Sequence, residues 1–314
     1  MGGVGGLLGA VFLGWALGAN DAANLFGPAV STRTMRLRTA IGVAMVCVVL
    51  GAWTGSGRAQ STLARLGPQT TWGAAVIACA AALAMTGLVA LRLPASGSQA
   101  VVGALVGFAW SQGSTLDPFV LLRIAQAWVL TPLVASLLGL GGTLLLARAS
   151  GRITRAGLLR LDAPLRFGML VTVAASAYAF GANNAANVSG LTVSSGVLGS
   201  ASAIWIAGGS MALGIASLGW HTMDLFGRGL VRLEPPTALI TLLAQACTVL
   251  LFAIWGVPVS TSQAVAGGAL GIGLAKGVRT IGRRALFHVV LGWAATPIVG
   301  ALVAYGLVQI LAPR

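Results

Sequence analysis

The chain has 314 residues, of which 57% are hydrophobic and 8% are charged, and its mean hydropathy is +0.93. Soluble domains carry about 25% charged residues, so this composition excludes a soluble fold and predicts an integral membrane protein. The net charge is +14. The arginines cluster in short loops between apolar segments, and no basic stripe with interleaved aromatic residues is present, so nucleic-acid binding is not expected.

Apolar segments long enough to cross a bilayer as helices recur along the chain, and none shows the ten-residue alternation of a membrane β-strand. The first segment has no basic stretch before it and continues into polar residues, which favours a first span over a cleaved signal peptide. In the first half the predicted segments are residues 3–32, 40–54, 72–91, 98–110 and 119–147. In the second half they are residues 167–195, 199–219, 238–255, 262–275 and 286–311.

The first segment of each half contains nearly the same polar phrase, GANDAAN at residues 18–24 and GANNAAN at residues 181–187, at an offset of 163 residues. Carboxylates and carboxamides are costly inside a bilayer, so they are candidates for function. A duplicated polar interruption is typical of transporters built from two related halves. The glycines and polar side chains also predict that both helices are broken at these phrases.

Two further motifs repeat in the same order. The sequence PASGSQA at residues 94–100 matches PVSTSQA at residues 258–264, and the Thr-Pro pair at 131 matches the pair at 296. The offsets are 164 and 165 residues, so the two halves differ by small insertions only. Similar composition would not keep both order and spacing, and the chain is therefore interpreted as a duplication.

Each half has five segments, which is an odd number, so the second half enters the membrane from the side opposite to the first. Loop charges agree with this inversion, because most basic loops fall on one face, which the positive-inside rule assigns to the cytoplasm. These loops are residues 33–38, 148–166, 228–232 and 276–284. Both termini then lie outside. The loop with Arg58 and Arg65 is the exception, because it falls on the outer face.

The predicted architecture is an all-α integral membrane protein of the cytoplasmic (inner) membrane, with two inverted-topology repeats and broken helices. The first repeat is residues 1–147, a cytoplasmic basic linker is residues 148–166, and the second repeat is residues 167–314. The fourth segment of each half is short, since about 13 residues make roughly 20 Å of helix. Residues 93–110 and 257–275 therefore contain either a full span or one arm of a re-entrant hairpin. A hairpin replaces two crossings with none, so the inversion holds in both cases.

Asp21 is one of five acidic residues, and it is the only one deep inside an apolar segment. Asn20, Asp21 and Asn24 supply the carboxylate and carbonyl oxygens that hard cations prefer. The spacing of Asp21 and Asn24 places both side chains on one face of a helix. The second copy offers amide groups instead, from Asn183, Asn184 and Asn187. The alternative is that both phrases form interhelical hydrogen bonds that hold the bundle together.

The repeated Pro-x-Ser-x-Ser-Gln motif combines hydroxyl and amide donors with the free N–H groups of a helix N-terminus. Such a turn binds anions without a formal positive charge, and two of them would surround a small tetrahedral oxyanion. The candidates are Ser96, Ser98, Gln99, Ser260, Thr261, Ser262 and Gln263. The alternative, for either copy alone, is a Pro/Ser helix cap. Arg92 either attracts the anion at mid-depth, if its segment is a hairpin, or ends a full span at the cytoplasmic interface.

The other polar residues indicate neither a cofactor nor an enzymatic site. Cys47, Cys79 and Cys247 are isolated in apolar segments and are interpreted as packing residues. His221 and Asp224 share a loop and are interpreted as solvated. The sequence contains no HExxH motif, no nucleophile–base pair and no glycine-rich nucleotide loop, so an enzyme is not expected. The Thr-Pro pairs predict helix kinks. Four glycines at helical spacing predict close helix packing, namely Gly103, Gly107, Gly267 and Gly271.

The repeated GAN-D/N-AAN phrase, together with paired Pro-x-Ser-x-Ser-Gln turns, resembles the inorganic phosphate transporter (PiT) family, which includes sulfate permeases. The resemblance covers nearly the whole chain. It implies inverted repeats, cation-coupled symport and a substrate held between the halves at mid-membrane. It implies cation binding, with Na⁺ as a candidate, by Asp21, Asn24, Asn184 and Asn187. It implies oxyanion binding by the hydroxyl and glutamine residues of both turns.

The sequence departs from the family pattern at Asn184, where the second copy usually carries Asp. Either one cation site is missing or weakened, or coupling differs, with a proton carried on Asp21. Hydrogen phosphate carries a proton and benefits from an acceptor, whereas sulfate needs donors only, so the Asn and Gln residues make sulfate a rival substrate. The expected function is phosphate import coupled to Na⁺ or H⁺ across the lipid bilayer, by a monomer or a homodimer. Sulfate import and a passive anion channel are the alternatives.

Overall fold

The computed structural model describes residues 2–67, 70–91, 93–150, 162–218 and 230–311. Arg92, His221, Asp224 and most of the central linker lie outside the described residues, so the interpretations of these residues stay predictions. Within the described ranges the chain is helical and has no strand. The α-helices are α1 (Gly2–Ser31), α2 (Leu37–Gly55), α3 (Gly57–Leu66), α4 (Thr71–Ala90), α5 (Gly97–Ser111), α6 (Pro118–Ser150), α7 (Asp162–Ser194), α8 (Ser200–Leu218), α9 (Pro235–Ile254), α10 (Thr261–Lys276) and α11 (Arg283–Leu311).

Eight of these helices are long and apolar enough to cross a membrane, namely α1, α2, α4, α6, α7, α8, α9 and α11. The sequence pattern explains them, because each is a run of small and aliphatic residues without acidic residues, apart from Asp21 in α1 and Asp162 at the start of α7. The prediction of an all-α integral membrane protein is therefore confirmed. Helix α3 was not predicted, because it is short and polar and carries Arg58 and Arg65 on its exposed surface.

Helix packing repeats the duplication of the sequence. Helix α2 packs along α7, and its counterpart α8 packs along α1. Helix α5 packs along α11, and its counterpart α10 packs along α6. Exchanging the two halves converts each of these pairs into the other, as expected for two repeats related by a pseudo-twofold axis. Each repeat therefore completes its packing on helices of the other repeat.

Close approach of the backbones explains the first glycine of each polar phrase. A Cβ atom on Gly18 would lie 1.9 Å from the carbonyl oxygen of Met211, and one on Gly181 would lie 2.1 Å from that of Val48. Only glycine allows α1 to approach α8, and α7 to approach α2, at this distance. The four glycines predicted to serve close packing also face backbone carbonyls of a neighbouring helix, at 2.0–2.4 Å from the Cβ position. They are Gly103, Gly107, Gly267 and Gly271.

Helices α4 and α5 form a re-entrant hairpin. The backbone of Thr71, at the start of α4, lies beside Gly6 near the start of α1. The tip of the hairpin, residues 93–96, reaches Asn20, whose side chain contacts the carbonyl oxygen of Ala95. Asn20 lies eleven residues before the end of α1, which corresponds to about 16 Å of helix, so the tip ends inside the membrane-spanning length of α1.

Helix α5 then returns along α11, from Pro94 beside Gly292 to Trp110 beside Tyr305. Helices α9 and α10 repeat this arrangement in the second half, with a tip at residues 257–260. The short fourth segments are therefore hairpin arms. Non-helical backbone at this depth is tolerated because protein buries it, and Ala95 and Val259 are both buried.

The predicted break at the polar phrases was wrong. Helices α1 and α7 continue through residues 18–24 and 181–187 without interruption. The glycines there serve close packing, and the asparagines bond to other side chains or to the hairpins, so no backbone group needs to leave the helix. The helices are broken instead at the hairpin tips, where Pro94 and Pro258 have no N–H group to continue a helix.

Candidate ion-binding site

Asp21 is buried in α1 and accepts two hydrogen bonds on one carboxylate oxygen. Asn24 Nδ2 donates to Asp21 Oδ1 at 2.6 Å, and Thr261 Oγ1 donates to the same atom at 2.7 Å. The predicted placement of Asp21 and Asn24 on one face is confirmed. Asp21 Oδ2 and Asn24 Oδ1 are also buried, and neither has a hydrogen-bond partner among the described residues. Two unpartnered buried oxygens, one of them on a carboxylate, can accept a cation or a proton.

The second phrase reproduces this geometry without the charge. Asn187 Nδ2 donates to Asn184 Oδ1 at 3.1 Å, again three residues apart on one helix. In the place of Thr261 the first hairpin has Gly97, and a Cβ atom there would lie 3.5 Å from Asn184 Oδ1. The first site thus has a carboxylate and a hydroxyl. The second site has an amide in place of the carboxylate and lacks the hydroxyl, because glycine has no side chain. Asn187 Oδ1 and Asn184 Nδ2 have no partner within the described ranges.

Asn20 and Asn183 hold the hairpin tips. Asn20 Nδ2 donates to the carbonyl oxygen of Ala95 at 3.2 Å. Asn183 makes two bonds, since its Nδ2 donates to the carbonyl oxygen of Val259 at 2.7 Å and its Oδ1 accepts from the N–H of Val259 at 3.1 Å. Both amides engage the residue that follows the proline of the tip. The sequence placed these two asparagines among the cation ligands, and the structure assigns their amide nitrogens to the hairpins.

Each polar phrase therefore touches both hairpins. In α1, Asn20 contacts the first tip and the adjacent Asp21 contacts the second. In α7, Asn183 contacts the second tip and Asn184 lies next to Gly97 of the first. A group bound between the tips is in this way close to both candidate cation sites, and both repeats contribute to each site.

The predicted oxyanion residues all lie at the two tips or in the first turn of the helix that follows each tip, and all are buried. They are Ser96, Ser98, Gln99, Ser260, Thr261, Ser262 and Gln263. Residues 97–99 and 261–263 are counted with the tips from here on. Within the second tip the serine hydroxyls have hydrogen-bond partners. Ser260 Oγ and Ser262 Oγ are 2.9 Å apart, and Ser260 Oγ accepts from the N–H of Gln263 at 3.2 Å. The first tip is open, since Ser96 Oγ, Ser98 Oγ and Gln99 Oε1 have no partner in the described part of the chain.

The first turns of α5 and α10 follow directly after the two tips and belong to the same candidate oxyanion site. The first N–H groups of a helix have no intrahelical partner, and the helix dipole favours negative charge beside them. With the open hydroxyls of Ser96 and Ser98, the start of α5 offers several donors and no formal charge. Gln99 Oε1 and Gln263 Oε1 are buried acceptors without a partner among the described residues. The region can therefore donate hydrogen bonds to an oxyanion and accept one from a protonated oxyanion.

Sequence reasoning missed one contributor to this site and one buried polar contact elsewhere in the bundle. Thr296 was interpreted only as part of a kink, but its Oγ1 accepts a hydrogen bond of 3.4 Å from the N–H of Ser96. Ser176 Oγ donates to Gln245 Oε1 at 2.5 Å in a buried contact between α7 and α9. Neither of these two has a polar counterpart in the first half, where Leu13 and Ala81 occupy the matching positions, so the internal repeat did not reveal them.

Histidine, cysteine and acidic side chains do not form a metal centre here. In the described ranges, no three of them lie close enough together to hold a metal ion. Cys47 and Cys79 are half-buried and Cys247 is exposed, and none of the three forms a disulfide. Any cation in this site therefore depends on Asp21 and on neutral oxygens.

Comparison with known proteins decides the family. The profile described as "Phosphate transporter family" matches residues 17–163 and again residues 152–304, so it finds both repeats. The chain belongs to the phosphate transporter family. The resemblance inferred from the two motifs is thereby confirmed, and so is the internal duplication.

The names of relatives within the phosphate transporter family mention two different anions. The chain is 26% identical over 313 residues to a Bacillus subtilis protein named "Probable low-affinity inorganic phosphate transporter", covering 94% of this chain and 93% of that protein. It is 27% identical over 312 residues to "Sulfate permease CysP" of the same organism, covering 97% of this chain and 86% of that protein. Both anions are thus represented among proteins of nearly the same length.

A solved structure shares the fold. The protein named "The sodium-dependent phosphate transporter" superposes with a TM-score of 0.83 at 19% sequence identity, covering 99% of this chain and 98% of that one. The arrangement of hairpins and repeats described above is therefore the fold of a phosphate transporter. The family and this structural neighbour are both described as transporters.

Proposed function

We propose that this phosphate transporter family protein is a secondary-active symporter that imports inorganic phosphate across the cytoplasmic membrane, driven by Na⁺ or H⁺. The observation that carries the proposal is Asp21, a buried carboxylate with one free oxygen at the junction of the two hairpins. A buried carboxylate is costly unless a cation or a proton neutralises it. A passive anion channel needs donors at the tips, but it has no need for this carboxylate.

The proposed cation site consists of Asp21 and Asn24, with Thr261 beside them. Asp21 Oδ2 and Asn24 Oδ1 supply the free oxygens, and a proton on Asp21 Oδ2 is the alternative to Na⁺. Asn184 and Asn187 form a second site without charge, which binds a cation more weakly because no carboxylate compensates the loss of its hydration shell. Asn20 and Asn183 serve these sites by holding the tips in place.

The proposed oxyanion site lies between the tips, on the hydroxyls and glutamines of both turns. Thr261 belongs to the second turn and bonds to Asp21, so one side chain contacts the cation site and borders the anion site. The sequence alone counted the glutamines in favour of sulfate. Their unpartnered acceptors, Gln99 Oε1 and Gln263 Oε1, instead support phosphate, because only a protonated oxyanion can donate to them. The open hydroxyls of the first tip and the missing carboxylate at Asn184 are what favour sulfate, the alternative substrate.

The test is uptake of labelled phosphate and labelled sulfate into proteoliposomes, each with a Na⁺ gradient and then with a H⁺ gradient. We expect phosphate accumulation against its concentration gradient under one of the two ion gradients. Accumulation of sulfate alone would move the assignment to a sulfate permease. Phosphate flux that only follows its own gradient would indicate a channel, and absence of phosphate uptake under every gradient would reject the proposed function.

A further inference from the structure

Two cavities in the described structure are related by the internal repeat. The first lies between α1 and α4, where Trp15, Ala19 and Val89 line it. The second lies between α7 and α9, where Tyr178, Ala182 and Ala253 line it. These residues match one to one at the offsets of 163 and 164 residues that relate the two halves. The cavities are therefore the same space in the two repeats, each beside one hairpin tip.

Inverted repeats place such a pair of cavities towards opposite faces of the membrane. The first cavity also contacts Leu218, the last residue of α8. The second contacts Thr54 and Gly55 at the end of α2, the counterpart of α8, and Gly57 and Arg58 at the start of α3. In the orientation predicted from the loop charges, the second cavity opens to the outside. We call it the Arg58 vestibule.

The two cavities differ in size and chemistry. The Arg58 vestibule has a volume of about 560 Å³, and the first cavity about 230 Å³. The vestibule carries the guanidinium of Arg58 and two hydroxyls, Thr54 Oγ1 and the Tyr178 phenol, which lie 2.8 Å apart. Among the described lining residues of the first cavity none is charged, and most are aliphatic. None of the described residues that line the vestibule is acidic.

Arg58 is held at the rim by one hydrogen bond, and its other side-chain N–H groups have no partner among the described residues. Its Nη1 donates to the carbonyl oxygen of Ile254, the last residue of α9, at 2.8 Å, and the side chain is exposed. Arg58 also lies in the first turn of α3, where backbone N–H groups lack intrahelical partners and the helix dipole is positive. The ends of α2 and α9 also line the vestibule with the negative ends of their dipoles. The Thr54 hydroxyl donates to the carbonyl oxygen of Leu50, which leaves the Tyr178 phenol to donate to Thr54, so neither hydroxyl proton is free. Attraction of a doubly charged oxyanion therefore depends on the Arg58 guanidinium, with the start of α3 as a second source of donors.

The vestibule stops at the closed second tip. Ala182 lines it, and the next residue, Asn183, is fully buried and makes two hydrogen bonds to Val259 of the tip. On the other side, the first cavity reaches Asn20 itself. The Arg58 vestibule therefore reaches the turn of α7 that holds the second tip in place.

We infer that the Arg58 vestibule is a separate binding site for a tetrahedral oxyanion, which the anion occupies before the second hairpin opens. This inference rests on the proposed function and adds to it a first-contact residue outside the central site. Arg58 raises the local concentration of the anion and loses that effect at high ionic strength.

The direct test uses cysteine labelling of the full chain in proteoliposomes. In a background with Cys47, Cys79 and Cys247 changed to serine, Thr54→Cys places a thiol in the vestibule, and Thr86→Cys places one in the first cavity. For each cysteine we take the ratio of the reaction rate of the anionic 2-sulfonatoethyl methanethiosulfonate to that of its cationic trimethylammonium analogue. We expect this ratio to be on the order of tenfold higher at Thr54→Cys than at Thr86→Cys. Arg58→Gln should remove this preference, and inorganic phosphate or sulfate should slow the anionic reagent at Thr54→Cys only. Equal preference at the two positions would overturn the inference.

The kinetic test separates anion binding from the contact between Arg58 and α9. Arg123 also bonds to this helix end, since its Nη2 donates to the carbonyl oxygen of Trp255 at 3.3 Å, but it does not line the vestibule. We expect Arg58→Gln to raise the KM for the transported anion by on the order of tenfold at low salt with little change in kcat, and Arg123→Gln to leave the KM near that of the wild type. Equal effects of the two variants would assign Arg58 to clamping α9 and overturn the inference.

Failure of this inference and failure of the proposed function give different results. A wild-type protein that accumulates neither anion rejects symport, but the labelling preference at Thr54→Cys still reports anion binding in the vestibule. A wild-type protein that accumulates phosphate without a labelling preference rejects the vestibule and leaves the symporter standing.

Discussion

Thr261 Oγ1 donates a hydrogen bond of 2.7 Å to Asp21 Oδ1, which joins two residues 240 positions apart and the two repeats of the fold. Asp21 belongs to the proposed cation site, and Thr261 belongs to the hairpin tip that borders the proposed anion site. A cation that neutralises Asp21 changes the charge that this hydroxyl faces. Thr261 thereby gives the symport hypothesis a single bond through which one ion can affect the binding of the other.

The substitution Asp21→Asn tests the carboxylate. We expect it to abolish cation-driven accumulation of phosphate, because an amide neither binds a proton nor compensates a cation. The measurement is uptake into proteoliposomes with and without the driving gradient. Glu234→Gln is the matched control, since it also removes one carboxylate. Glu234 is exposed, pairs with Lys276 at 3.3 Å and caps the first turn of α9, and a glutamine oxygen can still accept that capping bond. Downhill flux that persists in Asp21→Asn at the wild-type rate would favour the channel.

Thr261→Val and Thr261→Ser test the bond between the sites. Hydrogen bonds to charged groups contribute about 1.5–3 kcal/mol, which corresponds to roughly 10- to 100-fold in affinity. We expect Thr261→Val to raise the cation concentration needed for half-maximal uptake by this factor. Thr261→Ser should stay near the wild type because it keeps the hydroxyl. The measurement is the cation concentration at half-maximal uptake. Equal behaviour of the valine and serine variants would contradict a role for the hydroxyl.

Asn184→Asp restores a carboxylate in the second phrase. An added buried charge requires a compensating cation, so we expect uptake to depend more steeply on the driving cation and to carry more charge per anion. The measurement is the coupling stoichiometry, taken from the reversal potential in proteoliposomes. An unchanged stoichiometry in a folded Asn184→Asp protein would show that this position does not bind the cation.

Asn183→Ala and Asn20→Ala compare the two hairpins. Asn183 makes two hydrogen bonds to its tip, whereas the amide nitrogen of Asn20 makes one longer bond. We expect Asn183→Ala to open the second tip and raise the labelling rate of Val259→Cys by roughly 30-fold, since two lost bonds of about 1 kcal/mol each amount to about 2 kcal/mol. Asn20→Ala should change the labelling of Ala95→Cys less. A larger effect at the first tip would reverse this order of stabilities.

Gly18→Ala tests the close approach of α1 and α8. The new Cβ atom would lie 1.9 Å from the carbonyl oxygen of Met211, so the helices must move apart. Overpacking of this kind costs about 1–3 kcal/mol, and we expect a lower Tm in detergent and loss of uptake. Gly209→Ala is the control in α8, because nothing lies within 4 Å of the corresponding position. Equal Tm values for the two variants would contradict the packing argument.

Internal repetition made much of this site predictable. Asn184 and Asn187 occupy the positions in the second repeat that Asp21 and Asn24 occupy in the first. This recurrence identified the polar face of α1 and of α7, which is the face towards the hairpin tips. The spacing of three residues within each pair then predicted the side-chain contacts found in both copies. The short fourth segments raised the alternative of a hairpin arm, but their length alone did not decide between a hairpin and a full span.

Contacts between the repeats were beyond the sequence. Nothing in the spacing indicates that Thr261 meets Asp21, because that contact depends on how the two halves cross. The continuity of α1 and α7 was also mispredicted, since the glycines that indicate a break in isolation serve tight packing against α8 and α2. Helix α3 was missed because a short polar helix has no membrane-length apolar pattern.

The exchange of hairpin arms between the repeats has a consequence for biosynthesis. Helix α5 packs on α11, and residues 112–282 lie between them in the chain. The face of α5 that carries Gly103 and Gly107 therefore cannot pack against α11 until α11 has left the ribosome. During translation the first hairpin is supported through α4 on α1, but its arm α5 lacks the partner that completes it, and the ion site cannot assemble repeat by repeat. Insertion of this protein is completed only when its last long helix enters the membrane.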